Sequence, residues 1–200
     1  MSKGRIESFS DGVFAIAITL LVLTIGQPRS YADLARELAN LWPSIAAYMV
    51  SFSVIGIMWL NHHSIFGHFA RVDRALAYIN LALLMTVAFI PYPTGVFGEA
   101  LRQGSGARPA AVAYSAVMAL NAYAWTGLWL YAATRRRLLD TSFPEAQRAT
   151  ATLLFSVGVA AYTVALGIAF INAYACLAFH ALLAVYYALD PVSRRAARPG

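Results

Sequence analysis

The sequence predicts an all-α integral membrane protein with six transmembrane helices per subunit. Three observations carry that prediction. Of its 200 residues, 60% are hydrophobic and only 12% charged, a balance outside that of water-soluble domains. Apolar stretches of about 20 residues, the length that crosses a bilayer core, fall at 9–27, 41–63, 74–97, 109–134, 149–170 and 172–190. Basic residues are also distributed unevenly between the two sets of connections. With the N-terminus inside, the inner segments hold Lys3, Arg5, Arg71, Arg74, Arg135, Arg136, Arg137, Arg148, Arg194, Arg195 and Arg198, and the outer ones Arg29, Arg36, Arg102 and Arg108. Eleven against four satisfies the positive-inside rule and puts both termini in the cytoplasm. The net charge of +6 thus reflects topology, and no nucleic-acid partner is expected.

The first span sits in RIESFSDGVFAIAITLLVLT, residues 5–24. Asp11 stands where a secretory leader would begin its apolar region, so the segment is read as mature structure. A helix that only anchors gains nothing from a carboxylate near hydrocarbon, where charge is costly, so Asp11 points to function. Gly12, Ile16, Leu20, Leu23 and Gln27 recur at helical spacing and share one stripe, with Thr19 beside it. Such a stripe serves either ordinary helix packing or, with several copies around a shared axis, a narrow apolar constriction that gates by dewetting. Periodicity does not separate the two.

Gly26 is expected as a helix C-cap, with Pro28 ending the span. Residues 31–42 read as a short amphipathic helix at the outer interface, and Trp42 and Pro43 open the second span. That span ends in WLNHHSIFGHF, which brings Trp59, Asn61, His62, His63 and His68 toward the inner face. The third contains Asn80 and Thr86 and is distorted at its outer end by Pro91 and Pro93. A polar outer loop is expected at 101–109. Trp125, Trp129 and Tyr131 are expected as an inner aromatic belt closing the fourth span. Ser142 and Glu145 form a capping box for the fifth. Asn172 alone interrupts the apolar run into the sixth, which predicts a tight hairpin. The tail at 191–200 is basic.

Catalytic chemistry finds no footing. No HExxH or nucleophile–base pattern is present. His62 and His63 are adjacent and point about 100° apart on a helix, so no metal site is expected, and no cofactor. Cys176 stands alone and reads as a small core residue. The string Thr94-Gly95-Val96-Phe97-Gly98 has the wrong order for a TVGYG filter.

Arg5, Phe9, Ser10 and Asp11 match the R-x-x-x-F-S-D signature of the bacterial transmembrane-protein-175 potassium-channel family, which the chain resembles. Trp59 with Asn61, His62 and His63 looks like that family's second-helix ending, and Pro91, Tyr92, Pro93 and Thr94 like its third. The likeness covers the first half; the last three helices match in number and length. It implies a homotetramer in the bacterial cell membrane whose first helices line a potassium pore without a TVGYG filter. Carried over, Ile16, Leu20 and Leu23 become the constriction and Thr19 the layer tied to ion preference. Arg5, Phe9, Ser10 and Asp11 become a structural lock, supported by Trp59, Asn61, His62 and His63. Two other readings use the same residues differently. A proton- or ion-coupled carrier would titrate Asp11 with His62 or His63, and a non-transporting scaffold would use the interfacial helix and tail for docking.

Overall fold

The computed structural model describes residues 2–135, 137–140 and 144–189. The chain is helical almost throughout. Helix α1 covers Lys3–Leu20 and passes into a 3₁₀ turn, Leu21–Thr24. Next come α2 (Leu34–Ala39), α3 (Trp42–Gly67), α4 (Arg74–Phe89), α5 (Pro91–Gln103), α6 (Ala107–Thr134), α7 (Glu145–Ala169) and α8 (Ala173–Ala188). Six helical units result: α1 with its turn, α3, the α4–α5 pair, α6, α7 and α8. Among the described residues the segments Lys3–Thr24, Leu34–Gly67, Arg74–Gln103 and Glu145–Ala169 are long and apolar enough to cross a bilayer core. Helix α6 lies at the centre, against α4, α5, α7 and α8, while α1 packs on α3 and α4 at one side.

Proline chemistry shapes the third span. Pro91 occupies the first turn of α5, where its missing N–H breaks no helical bond, and the axis restarts there. Helix α5 then continues to Gln103, so most of the stretch expected as loop is helical. Only residues 104–106 separate α5 from α6, with Gly104 at φ +69° and Gly106 at φ +68°. Gly104 ends α5 in the left-handed region that a side chain disfavours.

Gly26 is not a C-cap. The first helix tightens into its 3₁₀ turn and is closed by Ile25 in an extended conformation. Tertiary packing accounts for this: Leu21 is fully buried, and the turn lies so close to α5 that a Cβ on Gly95 would sit 3.0 Å from Thr24 Cβ.

The expected inner aromatic belt is also corrected. Trp125 and Trp129 are buried and stack on Phe155 of α7, with ring centroids 6.4 and 5.7 Å apart. Trp129 Nε1 donates to Thr152 Oγ1 at 2.9 Å. These rings knit α6 to α7 rather than meeting the headgroups. Polar side chains tie the other spans inside the subunit. Ser51 of α3 bonds Thr94 of α5 and Tyr114 of α6 at 2.9 and 3.0 Å, and Asn121 of α6 donates to Thr86 of α4 at 2.7 Å. Cys176 is buried beside Ser115 at 3.0 Å. Asn172 caps α8 by accepting from the Ala175 N–H at 2.9 Å. The expected capping-box residue Ser142 and the tail at 191–200 lie outside the described residues.

The α3–α4 and α6–α7 connections are stitched together. Ala70 N–H donates to Leu138 O and Asp140 N–H to His68 O, both at 2.9 Å. Asp73 caps α4 by accepting from Leu76 N–H at 2.9 Å, and it also accepts from the Tyr131 hydroxyl at 3.0 Å and from Arg137 at 3.4 Å. The Leu76 N–H, aided by Tyr131 and Arg137, holds its carboxyl below the ordinary carboxylate value. A depressed carboxyl stabilises the fold above its ordinary range and ceases to do so as pH falls through its folded value. Asp73→Ala is therefore expected to cost about 1 kcal/mol, the usual worth of an N-cap. Thermal unfolding in detergent should show that deficit at neutral pH and a shrinking one in acid.

Candidate pore face and the polar lock behind it

Helix α1 has two opposite faces. Ile6, Ser10, Phe14, Ala17 and Leu21 are buried, a spacing of four, four, three and four that seats one stripe against α3 and α4. The other stripe, Gly12, Ile16, Leu20 and Leu23, is exposed along its length, with Ile16 62% and Leu23 76% accessible. Gln27, expected on the same stripe, lies past the extended Ile25 and so off the helix, because the span ends with the turn at Thr24. Leu23 lies in the 3₁₀ turn, where side chains three apart eclipse, so the turn brings it over Leu20. Thr19 is exposed beside the stripe, and its hydroxyl donates back to the carbonyls of Ala15 and Ile16 at 2.9 Å each. With the proton so turned inward, its oxygen keeps acceptor capacity.

On the buried side a chain of hydrogen bonds crosses three helices. The Ser10 hydroxyl donates to Ile6 O at 2.8 Å, and Asn80 Nδ2 donates to Ser10 Oγ at 3.0 Å. Asn80 Oδ1 then faces His62 Nε2 at 2.9 Å. Because the amide oxygen only accepts, the imidazole donates from Nε2. His62 is buried, stacked on Phe66 at 4.2 Å and met edgewise by Phe14 and Trp125 at 5.4 and 6.0 Å. On the exposed side, Trp59 Nε1 donates to Asp11 Oδ1 at 2.9 Å. The carboxylate at the mouth of the span is thereby paired, as the cost of charge there requires.

Ser10, Asp11, Trp59 and His62 therefore come together. Arg5, Phe9, Asn61 and His63 do not: each is exposed, and among the described residues of the subunit no polar partner meets Arg5, Asn61 or His63. The hub of the lock is Asn80, noted in the sequence only as a polar interruption of the third span. A lone amide in an apolar span is itself a signal for a buried partner. Among the described residues no group of three or more His, Cys, Asp or Glu side chains is gathered for a metal.

Helices of this length and apolarity, with a polar lock inside and an uncovered stripe on the first span, define a multi-pass helical membrane protein. Its relatives narrow the class. The family model of the endosomal/lysosomal potassium channel TMEM175 matches residues 5–91, which contain the stripe and the whole lock. A protein of Streptomyces collinus named a potassium channel is 45% identical over 202 residues, spanning 98% of either chain. Another so named, from Chamaesiphon minutus, is 42% identical over 190 residues and 93% of either chain. The crystal structure of a lysosomal potassium-selective channel TMEM175 homolog from that organism superposes with a TM-score of 0.84 at 41% identity, covering 94% of this chain and 96% of that one. The chain belongs to the TMEM175 family. Its likeness to the bacterial relatives extends past the first half through α6, α7 and α8.

Proposed function

We propose that the chain is a potassium channel of the bacterial cell membrane, assembled as a homotetramer with α1 lining the central pore. The observation that carries this reading is the division of α1 into a stripe buried on its own subunit and an opposite stripe left uncovered. Lipid would accept Ile16, Leu20 and Leu23 but gains nothing from Thr19, whereas a shared axis suits all four. Around that axis the three apolar residues form rings narrow enough to gate by dewetting. Thr19 presents oxygen between the Ile16 and Leu20 layers and is assigned to ion preference. Both bacterial relatives described above are named potassium channels, which supports the choice of ion. Both termini face the cytoplasm in this arrangement, and the residues carry no catalytic role.

Ser10, Asp11, Trp59 and His62 are assigned to the lock with Asn80 as its hub, whereas Arg5, Phe9, Asn61 and His63 stand outside its hydrogen bonds within the subunit. The pairing of Asp11 with Trp59 and the enclosure of His62 favour a structural role over the proton-titrating one a carrier needs.

The test is flux in liposomes under an imposed potential, with potassium, sodium and proton gradients compared. Electrogenic potassium flux that needs no counter-gradient is expected. Flux that appears only with a proton or sodium gradient would make the protein a carrier, and no flux at any potential would leave the scaffold reading.

A further inference from the structure

Beyond the 3₁₀ turn the chain leaves α1 without regular structure, yet residues 24–29 are held at several points along α5. Gly95 and Glu99, one helical turn apart, form the gripping face. A Cβ on Gly95 would lie 3.0 Å from Thr24 Cβ, and a Cβ on Gly26 would lie 3.4 Å from Glu99 Oε2. The chain at Gly26 thus runs close beside the Glu99 carboxylate. Glu99 is fixed in turn by Arg102, which donates from Nε to Oε2 and from Nη2 to Oε1 at 2.7 Å each. Arg29 reaches back from the loop to Glu99 Oε1 at 3.2 Å, and its backbone N–H donates to Glu37 Oε2 of α2 at 3.0 Å. Arg102 is nearly buried, its side chain 9% accessible, whereas Arg29 is largely exposed. Arg102 therefore orients the acid, and Arg29 is the strap. A bidentate guanidinium–carboxylate pair sets both distance and angle, so Glu99 is presented to the loop in one orientation.

We propose that Glu99 is a positioning residue for the outer end of the pore: through Arg29 and the backbone at Gly26 it holds the segment after Leu23 back against α5. This rests on the reading of α1 as pore-lining. The clamp lies three residues past Leu23 and on the side of the segment facing α5, so its pull draws the Leu23 ring outward from the axis. Releasing it lets the apolar rings close, which favours the dewetted state.

Two readouts on the intact oligomer test this. In single-channel recordings Glu99→Gln and Arg29→Gln are each expected to lower the open fraction by about twofold to fivefold, the range a partly exposed ion pair supports. The potassium-to-sodium permeability ratio should stay unchanged, and the double variant should be no worse than Glu99→Gln alone. In the second readout a nitroxide on Gln27→Cys reports distances between subunits, which should broaden in Glu99→Gln. Arg29→Gln guards against a folding artefact, because its side chain is mostly in water. A wild-type open fraction in both variants, or an unbroadened distance distribution, overturns the proposal. Wild-type protein without potassium flux would overturn the channel reading and the gating role with it. The nitroxide distances would then still report whether Glu99 holds the segment.

Discussion

Leu23→Asn is expected to raise potassium leak about tenfold without loss of the assembled protein. The side chain is 76% accessible in the subunit, so the substitution leaves no cavity behind and exposes no buried partner. In the proposed tetramer its effect falls on the ring that four copies form around the axis. An amide there supplies hydrogen bonds to water in a constriction otherwise lined by hydrocarbon, which favours the wetted state. Lowering the barrier by about 1.4 kcal/mol is tenfold in rate. Ile16→Asn, on the same stripe and 62% accessible, should act in the same direction. Planar-bilayer conductance together with size-exclusion profiles would measure both effects, and unchanged currents in the two variants would remove this stripe from the pore.

Asn80→Leu is expected to be the most destabilising of the substitutions in the lock. It leaves the His62 Nε2–H without its acceptor and Ser10 Oγ without its donor, both inside the subunit. Each orphaned buried group costs about 1–3 kcal/mol, so a combined loss of about 3 kcal/mol is reasonable, and much of the protein should fail to survive extraction. Asn61→Leu provides the contrast, since Asn61 is exposed and makes no bond within the described subunit; its melting temperature should stay close to wild type. Asp11→Ala falls between these, because it frees only the partly exposed Trp59 N–H. If Asn80→Leu unfolds at the wild-type temperature, the chain of bonds is not a lock. A stable Asp11→Ala oligomer with altered ion preference would move Asp11 from the lock to the permeation path.

What could be read from the sequence follows from the range of the forces involved. The apolar helical segments and the stripe on α1 depend on local hydrophobic periodicity, so they are legible in the sequence alone. Periodicity did not say which face of α1 its own subunit covers, and that is what the buried Phe14 and exposed Ile16 decide. Asn80 was visible only as an interruption, because its partners Ser10 and His62 lie on two other helices, 70 and 18 positions away. Trp125 and Trp129 read as a belt because position in the chain gives depth along α6 but not which neighbour faces it, and Phe155 of α7 claims both rings. Gly26 failed as a cap for a similar reason: the helix is tightened earlier by contact with Gly95 of α5. Arg5, Phe9, Asn61 and His63 share motifs with the lock residues, yet within the subunit they stand outside its hydrogen bonds. His180, buried among Tyr114, Tyr162 and Cys176, gave no signal in the sequence, where it looks like one polar residue in an apolar helix.

The most direct test of the central claim is access to single introduced thiols. The native Cys176 is fully buried, so reaction at a new cysteine can be read without removing it. Potassium current through Ile16→Cys is expected to be blocked by a small water-soluble thiol reagent or by cadmium. Current through Leu153→Cys, exposed on the outer surface of α7, should be untouched. Block at Leu153→Cys with none at Ile16→Cys would place the ion path elsewhere and contradict a pore lined by the first helix.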